Sequence, residues 1–184
     1  MSNSTAIATL ETWLPNVAND FEAAISDDRI SLAKEAGYAV QLMNSNPYAM
    51  NLAQGNQQAF RDAIINVAAV GVSLNPAAKQ AYLVPRDGKI CLDLSYMGLM
   101  QIAIDSGSVL WVQCKIVYQG EDFTLCGVDE KPVHKSNPFT KKSIDNAIGA
   151  YCVAKTHDGA YLTECMSIDD IHAIRARSQS FKSG

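Results

Sequence analysis

No stretch of the chain stays apolar for the roughly 18 residues that a membrane-crossing helix needs. The first residues have neither the basic start nor the apolar segment of a signal peptide. The expectation is a soluble, cytoplasmic protein without a membrane partner. No GxxxxGK(S/T) loop occurs, and no GxGxxG follows a strand-like run, so no ATP or dinucleotide site is expected. His134, His157 and His172 do not fall at metal-ligand spacings. The five cysteines, Cys91, Cys114, Cys126, Cys152 and Cys165, contain no Cys-x-x-Cys pair and fit neither a zinc site nor a disulfide framework. They are expected to be reduced, structural thiols. Of the scattered acids, Asp93, Glu121 and Asp122 are the set that a magnesium ion would use, since Mg²⁺ takes few protein carboxylates and relies on substrate phosphates. A metal-dependent nuclease built on them is one reading of the chain. Positive charge is scarce as well. The net charge is −4 and the pI about 5.3, which argues against a uniformly basic nucleic-acid binder.

The charge is unevenly placed. Residues 1–78 carry three basic and seven acidic groups, and residues 79–184 carry twelve of each. Lys131, Lys135, Lys141 and Lys142 lie in a stretch without an acid, as do Arg175, Arg177 and Lys182. With 48% hydrophobic residues, 184 residues can bury a sizeable core. The first 15 or so residues read as polar and irregular. A helix is expected over about Asp28–Met43, with Ile30, Ala33, Gly37 and Val40 at helical spacing, broken by Asn44–Pro47. A second is expected over Asn56–Val70, with Phe60, Ala63, Ile64 and Val67 inward and Gly71 closing it.

Strand signals follow. Ala81–Val84 runs into the turn sequence Pro85-Arg86-Asp87-Gly88, and Ile90, Leu92 and Leu94 then alternate with Cys91, Asp93 and Ser95. This reads as a hairpin. Ser95 caps a helix over Tyr96–Ser106, closed by Gly107. Leu110–Tyr118 alternates as a long strand, with Asp122–Cys126 as its expected hairpin partner. Residues 127–146 read as a polar loop. Ala150–Lys155 and Ala160–Met166 form a last hairpin around His157-Asp158-Gly159. Ser167 opens a final helix, with Asp170 at capping-box spacing. The fold class is α+β, an antiparallel sheet with hairpins packed against helices.

An ordered set of motifs carries a resemblance. Gly71-Val72-Ser73-Leu74-Asn75-Pro76 precedes Gln80-Ala81-Tyr82-Leu83-Val84-Pro85. Ser95-Tyr96-Met97-Gly98-Leu99-Met100 and Ser106-Gly107 come next. Val117-Tyr118-Gln119-Gly120-Glu121-Asp122-Phe123, Gly149-Ala150-Tyr151-Cys152-Val153-Ala154-Lys155, Glu164-Cys165-Met166-Ser167 and Ile174-Arg175-Ala176-Arg177-Ser178 complete it. Their order and spacing over about residues 60–184 resemble the phage RecT family of single-strand annealing proteins. The resemblance implies an annealing core of the RecT/Redβ type, assembled into a ring or helical filament. It implies ATP-independent pairing of complementary DNA strands in homologous recombination, without a catalytic site and with no required cofactor. The partners it implies are single-stranded DNA, the annealed duplex, further copies of the chain and a phage exonuclease. The setting is the cytoplasm of a bacterial host, with a phage or prophage origin. Two departures stand out. Met97 replaces a lysine that the family carries, and the chain stops at Ser183-Gly184, where relatives continue with a basic helix. Residues 1–55 are expected as an N-terminal helical region and candidate oligomer contact, and residues 56–184 as an annealing core truncated at its C-terminus. A fragment that keeps fold and assembly but has lost DNA binding is the alternative.

A strand held for annealing must keep its base edges free. Phosphates are then gripped by cations and base faces by aromatics, without sequence readout. The candidate residues on the first hairpin and the following helix are Lys79, Gln80, Tyr82, Arg86, Lys89 and Tyr96. Those of the long loop are His134, Lys135, Lys141 and Lys142, and those near the end are Arg175, Arg177, Ser178 and Lys182. Each has a plain alternative. Turn lysines are commonly just solvated, and a Tyr body packs on sheets. A lone His is often structural, and Arg near a helix C-terminus already complements the helix dipole.

Overall fold

The computed structural model describes residues 3–140 and 142–177. It is a mixed α and β fold with antiparallel strands, as the sequence predicts. The chain divides into two compact units at the Ile102/Ala103 boundary. Among the described residues no helix is long and apolar enough to cross a membrane.

The first unit opens with five helices, α1 (Asn3–Trp13), α2 (Val17–Ala24), α3 (Leu32–Ser45), α4 (Pro47–Gly55) and α5 (Gln57–Val70). The opening residues are therefore helical, not irregular. Ala6, Leu10 and Leu14 recur every fourth position and are all buried, a narrow stripe that the Thr- and Asn-rich surroundings mask. α3 starts at Leu32 rather than Asp28, because Asp27 folds onto the Arg29 backbone N–H and guanidinium in a local turn. Its inward face is Leu32, Ala36, Ala39, Val40 and Met43. Pro47, read as a breaker, sits in the first turn of α4, where its missing N–H has no partner to lose. α5 matches its predicted stripe, with Asn56 capping Ala59 N–H and Gly71 left-handed at φ 72°.

β1 (Ala81–Arg86) and β2 (Lys89–Leu94) pair antiparallel through a two-residue turn. Asp87 and Gly88 both have positive φ, 49° and 74°, the pattern of the hairpin turns that match strand twist. Ala81, Leu83 and Ile90 are buried in the helical core with Phe21, Phe60 and Ile64. α6 (Tyr96–Asp105) follows, and the unit boundary falls inside it.

The second unit holds β3 (Trp111–Tyr118), β4 (Asp122–Thr124), β5 (Val133–Lys135), β6 (Ala147–Lys155), β7 (Tyr161–Ser167) and α7 (Ile168–Arg175). Its main sheet has the order β3-β6-β7. β4 pairs with β5, not with β3 as expected, and β5 lies within the segment read as loop. β3 pairs instead with β6, far along the chain. α7 begins with the predicted capping box, Ser167 Oγ accepting from Asp170 N–H and the Asp170 carboxylate accepting from Ser167 N–H.

The register separates the two faces of this sheet. Lys115, Val117, Tyr151 and Val153 share one, with Cys165 beside Tyr151. Cys114, Ile116, Ala150, Cys152 and Leu162 share the other. Ile116 and Leu162 on the second face are 43% and 55% exposed, so apolar side chains stand open to solvent there. The cysteines differ from expectation in burial: Cys114, Cys126 and Cys165 are exposed.

Candidate nucleic-acid interface

The hairpin register brings several predicted residues to one face. Tyr82 lies opposite Asp93, and Arg86 opposite Lys89, all on the side away from the core. Tyr82, Arg86 and Lys89 are exposed. The Arg86 guanidinium donates to Asp93 at 3.1 Å, so it reaches diagonally across the ladder. An apolar groove of about 450 Å³, lined by Tyr38, Leu42, Leu74, Pro76, Tyr82 and Val84, borders this face. Lys79 is exposed in a left-handed conformation, φ 52°. Tyr96 is exposed in the first turn of α6.

Gln80 points elsewhere. Its side-chain carbonyl accepts from Ser73 N–H at 2.9 Å, and its backbone carbonyl accepts from Ser95 N–H at 2.9 Å. Ser95 Oγ donates to the Lys79 carbonyl and accepts from Met97 and Gly98 N–H at 3.1 Å each. Glu35 of α3, only 3% exposed, accepts from Ser73 Oγ at 2.8 Å and Leu74 N–H at 2.7 Å. Asn75 then caps Ala77 N–H at 3.0 Å. The Ser73–Asn75, Gln80 and Ser95–Gly98 motifs are thus bonded to one another or to α3. Gly98 has the tightest position, because a Cβ there would stand 2.2 Å from the Gln80 carbonyl oxygen. Burial pushes the Glu35 carboxyl above its ordinary range, and the Leu74 and Ser73 hydrogen bonds oppose that rise. Composition gave no sign of Glu35; an acid amid the apolar face of a helix was its only signal.

In the second unit a polar network gathers around Glu121. Oε2 accepts from Tyr118 N–H at 2.9 Å and lies 3.2 Å from His134 Nε2. Lys142 Nζ is 3.0 Å from Oε1 and 5.2 Å from the Tyr118 ring centroid. A carboxylate only accepts, so His134 Nε2 carries the proton, and in the neutral ring Nδ1 accepts from the Tyr151 hydroxyl at 3.2 Å. Phe123 packs against both rings, 4.7 Å from Tyr151 and 5.9 Å from His134 between centroids. The Tyr118 N–H bond, then the Lys142 and His134 contacts, hold the Glu121 carboxyl below its ordinary range despite desolvation.

This network sorts the predicted loop residues. His134 is largely buried with both nitrogens engaged. Lys142 is tied to Glu121, while Lys131 and Lys135 are exposed. Phe139, not among the residues expected from the sequence, is 94% exposed. Asn137 Oδ1 accepts its N–H at 3.0 Å and fixes the turn that presents it. Its signal was legible: one aromatic amid lysines, with no apolar partner nearby in sequence. Arg175 and Arg177 are exposed at and just beyond the end of α7. Lys141, Ser178 and Lys182 lie outside the described residues. Two of the acids considered for magnesium have other partners. Asp93 pairs with Arg86 in the first unit, and Glu121 is enclosed by its network in the second. Among the described residues no three His, Cys, Asp or Glu side chains gather as a metal site.

The model of one protein family, described as the RecT family, matches residues 34–183. The chain belongs to the RecT family. It is also 27% identical over 134 residues to Protein RecT of Escherichia coli (strain K12), an alignment covering 68% of this chain and 49% of that protein. The chain therefore spans about half the length of the curated relative it matches. The RecT match includes the bonded motifs around Glu35 and Gln80 and the whole Glu121 network, and it leaves out α1 and α2.

Proposed function

We propose that this RecT-family chain binds single-stranded DNA and pairs it with its complement without ATP. It acts by binding and assembly rather than by catalysis, in the cytoplasm, on strands exposed by an exonuclease partner. Family membership over residues 34–183 carries the reading. What supports it locally is the placement of solvent-facing cations beside exposed aromatics. Arg86 and Lys89 accompany Tyr82 on the hairpin, and the exposed Lys131 and Lys135, before and at the end of β5, precede the exposed Phe139 along the chain. Such surfaces grip phosphates through charge, with counterion release as the driving term. Each stacked base adds roughly 1–3 kcal/mol without regard to sequence. Further copies of the chain complete the site as a ring or filament.

The test mixes two complementary labelled oligonucleotides with the chain, without ATP, at low and moderate salt. Accelerated pairing that leaves both strands intact and weakens with salt is the expected result. Cleavage of either strand would replace this reading with an enzymatic one. No effect, with pairing restored by a longer chain that continues past Gly184, would mean that the present residues fold and assemble but do not grip DNA.

A further inference from the structure

Cys114 and Cys152 lie directly opposite each other on β3 and β6. Their sulfurs are 3.2 Å apart, although the residues are 38 positions apart in sequence. Directly opposed residues of antiparallel strands have Cα atoms about 4.5 or 5.5 Å apart. Both values fall inside the roughly 4.4–6.8 Å window that a disulfide spans. The remaining cysteines are placed differently. Cys165 stands on the opposite face of the sheet, beside Tyr151, and Cys126 Sγ contacts the Thr124 carbonyl at 3.8 Å. Cys91 belongs to the first unit.

We propose that Cys114 and Cys152 form an oxidisable dithiol whose substrate is a two-electron oxidant of the peroxide class, and whose product is a cross-strand disulfide joining β3 to β6. Cys114 is the exposed member and meets the oxidant. Its thiolate attacks one peroxide oxygen, the O–O bond breaks, and the departing hydroxide leaves as water with the proton the thiol gave up. Cys114 is then a sulfenic acid. The Cys152 sulfur attacks the Cys114 sulfur, the S–O bond breaks, and a second water leaves with the Cys152 proton. Two thiols lose two electrons and two protons, and one peroxide becomes two waters. Cys152 is the member that does not meet the oxidant first. It is half-buried, and burial with the neighbouring Cys114 thiol pushes its own thiol up to about 11, so it stays protonated and unreactive toward free oxidant at neutral pH. Proximity then gives it a high effective concentration toward the Cys114 sulfenic acid.

This inference does not depend on DNA binding, and its test does not read it. The full chain is freed of reductant and treated with a small molar excess of hydrogen peroxide, then denatured for thiol titration and peptide mapping. Wild type should lose two of its five thiols and yield one linked peptide pair containing Cys114 and Cys152, reversed by dithiothreitol. Cys152→Ser should accumulate a sulfenic acid trappable by dimedone at Cys114, and Cys114→Ser should yield neither the linked pair nor that adduct at Cys152. The linked wild type should also unfold at a higher temperature than the reduced form, since the bridge restricts the unfolded chain. Retention of all five thiols, or a linked pair that includes Cys91, Cys126 or Cys165, would overturn the proposal.

Discussion

Glu35 places an ionisable group inside the helical core, where two hydrogen bonds answer it. Its carboxyl is raised by burial, so the folded state holds this proton more tightly than the unfolded chain does. Stability from Glu35 is therefore largest at and below the ordinary carboxylate range and falls as pH rises through the raised value. Urea midpoints taken between neutral pH and about pH 5 should show a gain on acidification in wild type that Glu35→Gln lacks. An equal gain in both would remove Glu35 as the cause. Glu35→Leu should destabilise the first unit by about 2–4 kcal/mol, because the Leu74 N–H and the Ser73 hydroxyl both lose their acceptor. At this scale the sequence was only partly legible. The outward facing of Tyr82, Arg86 and Lys89 was legible because strand alternation fixes facing. The partners of Gln80, Glu35 and His134 were not, because they come from elements that meet only after folding.

Helix and strand contacts make glycine positions unequal. On α6, a methyl group at Gly98 would stand 2.2 Å from the Gln80 carbonyl oxygen, which cannot swing aside as a side chain can. Gly98→Ala should lower stability by about 3 kcal/mol in denaturant unfolding. On α3, nothing lies within 4 Å of a Cβ at Gly37. The same change there should raise stability by roughly 0.5–1 kcal/mol, from helix propensity and reduced freedom of the unfolded chain. Two effects of the same sign would contradict this assignment of close approach. The strongly periodic elements α5, β1, β2 and α7 were readable for the same local reasons that stabilise them. α4 was hidden by Pro47, and three-residue strands such as β5 are too short to show alternation. The partner of β3 could not be read at all, since antiparallel pairing over that separation leaves no local signal.

Across the whole chain the net charge of −4 would oppose a polyanion if it were spread evenly. Exposed cations instead occur on both units, Arg86 and Lys89 on the first and Lys131, Lys135, Arg175 and Arg177 on the second, and their attraction to phosphate should show as salt dependence. Replacing Arg175 and Arg177 together with Ala should weaken single-strand binding alike for all sequences. It should flatten the log–log salt slope by about 0.7 for each phosphate that is no longer neutralised. Binding curves at several salt concentrations check this, and an unchanged slope would take both residues out of the interface. The family signature itself works differently. Ser73, Gln80, Ser95 and Gly98 direct their bonds or their backbone inward, toward one another and Glu35, whereas Lys89, Lys135 and Phe139 stand between the motifs and touch solvent. Other signature residues, Tyr82, Tyr96, Arg175 and Arg177, face solvent, so the signature is only partly a matter of the frame. A descendant lineage that exchanged Lys89, Lys135 and Phe139 would leave that frame intact. Such a chain would still be placed with its kin long after it had stopped holding a strand.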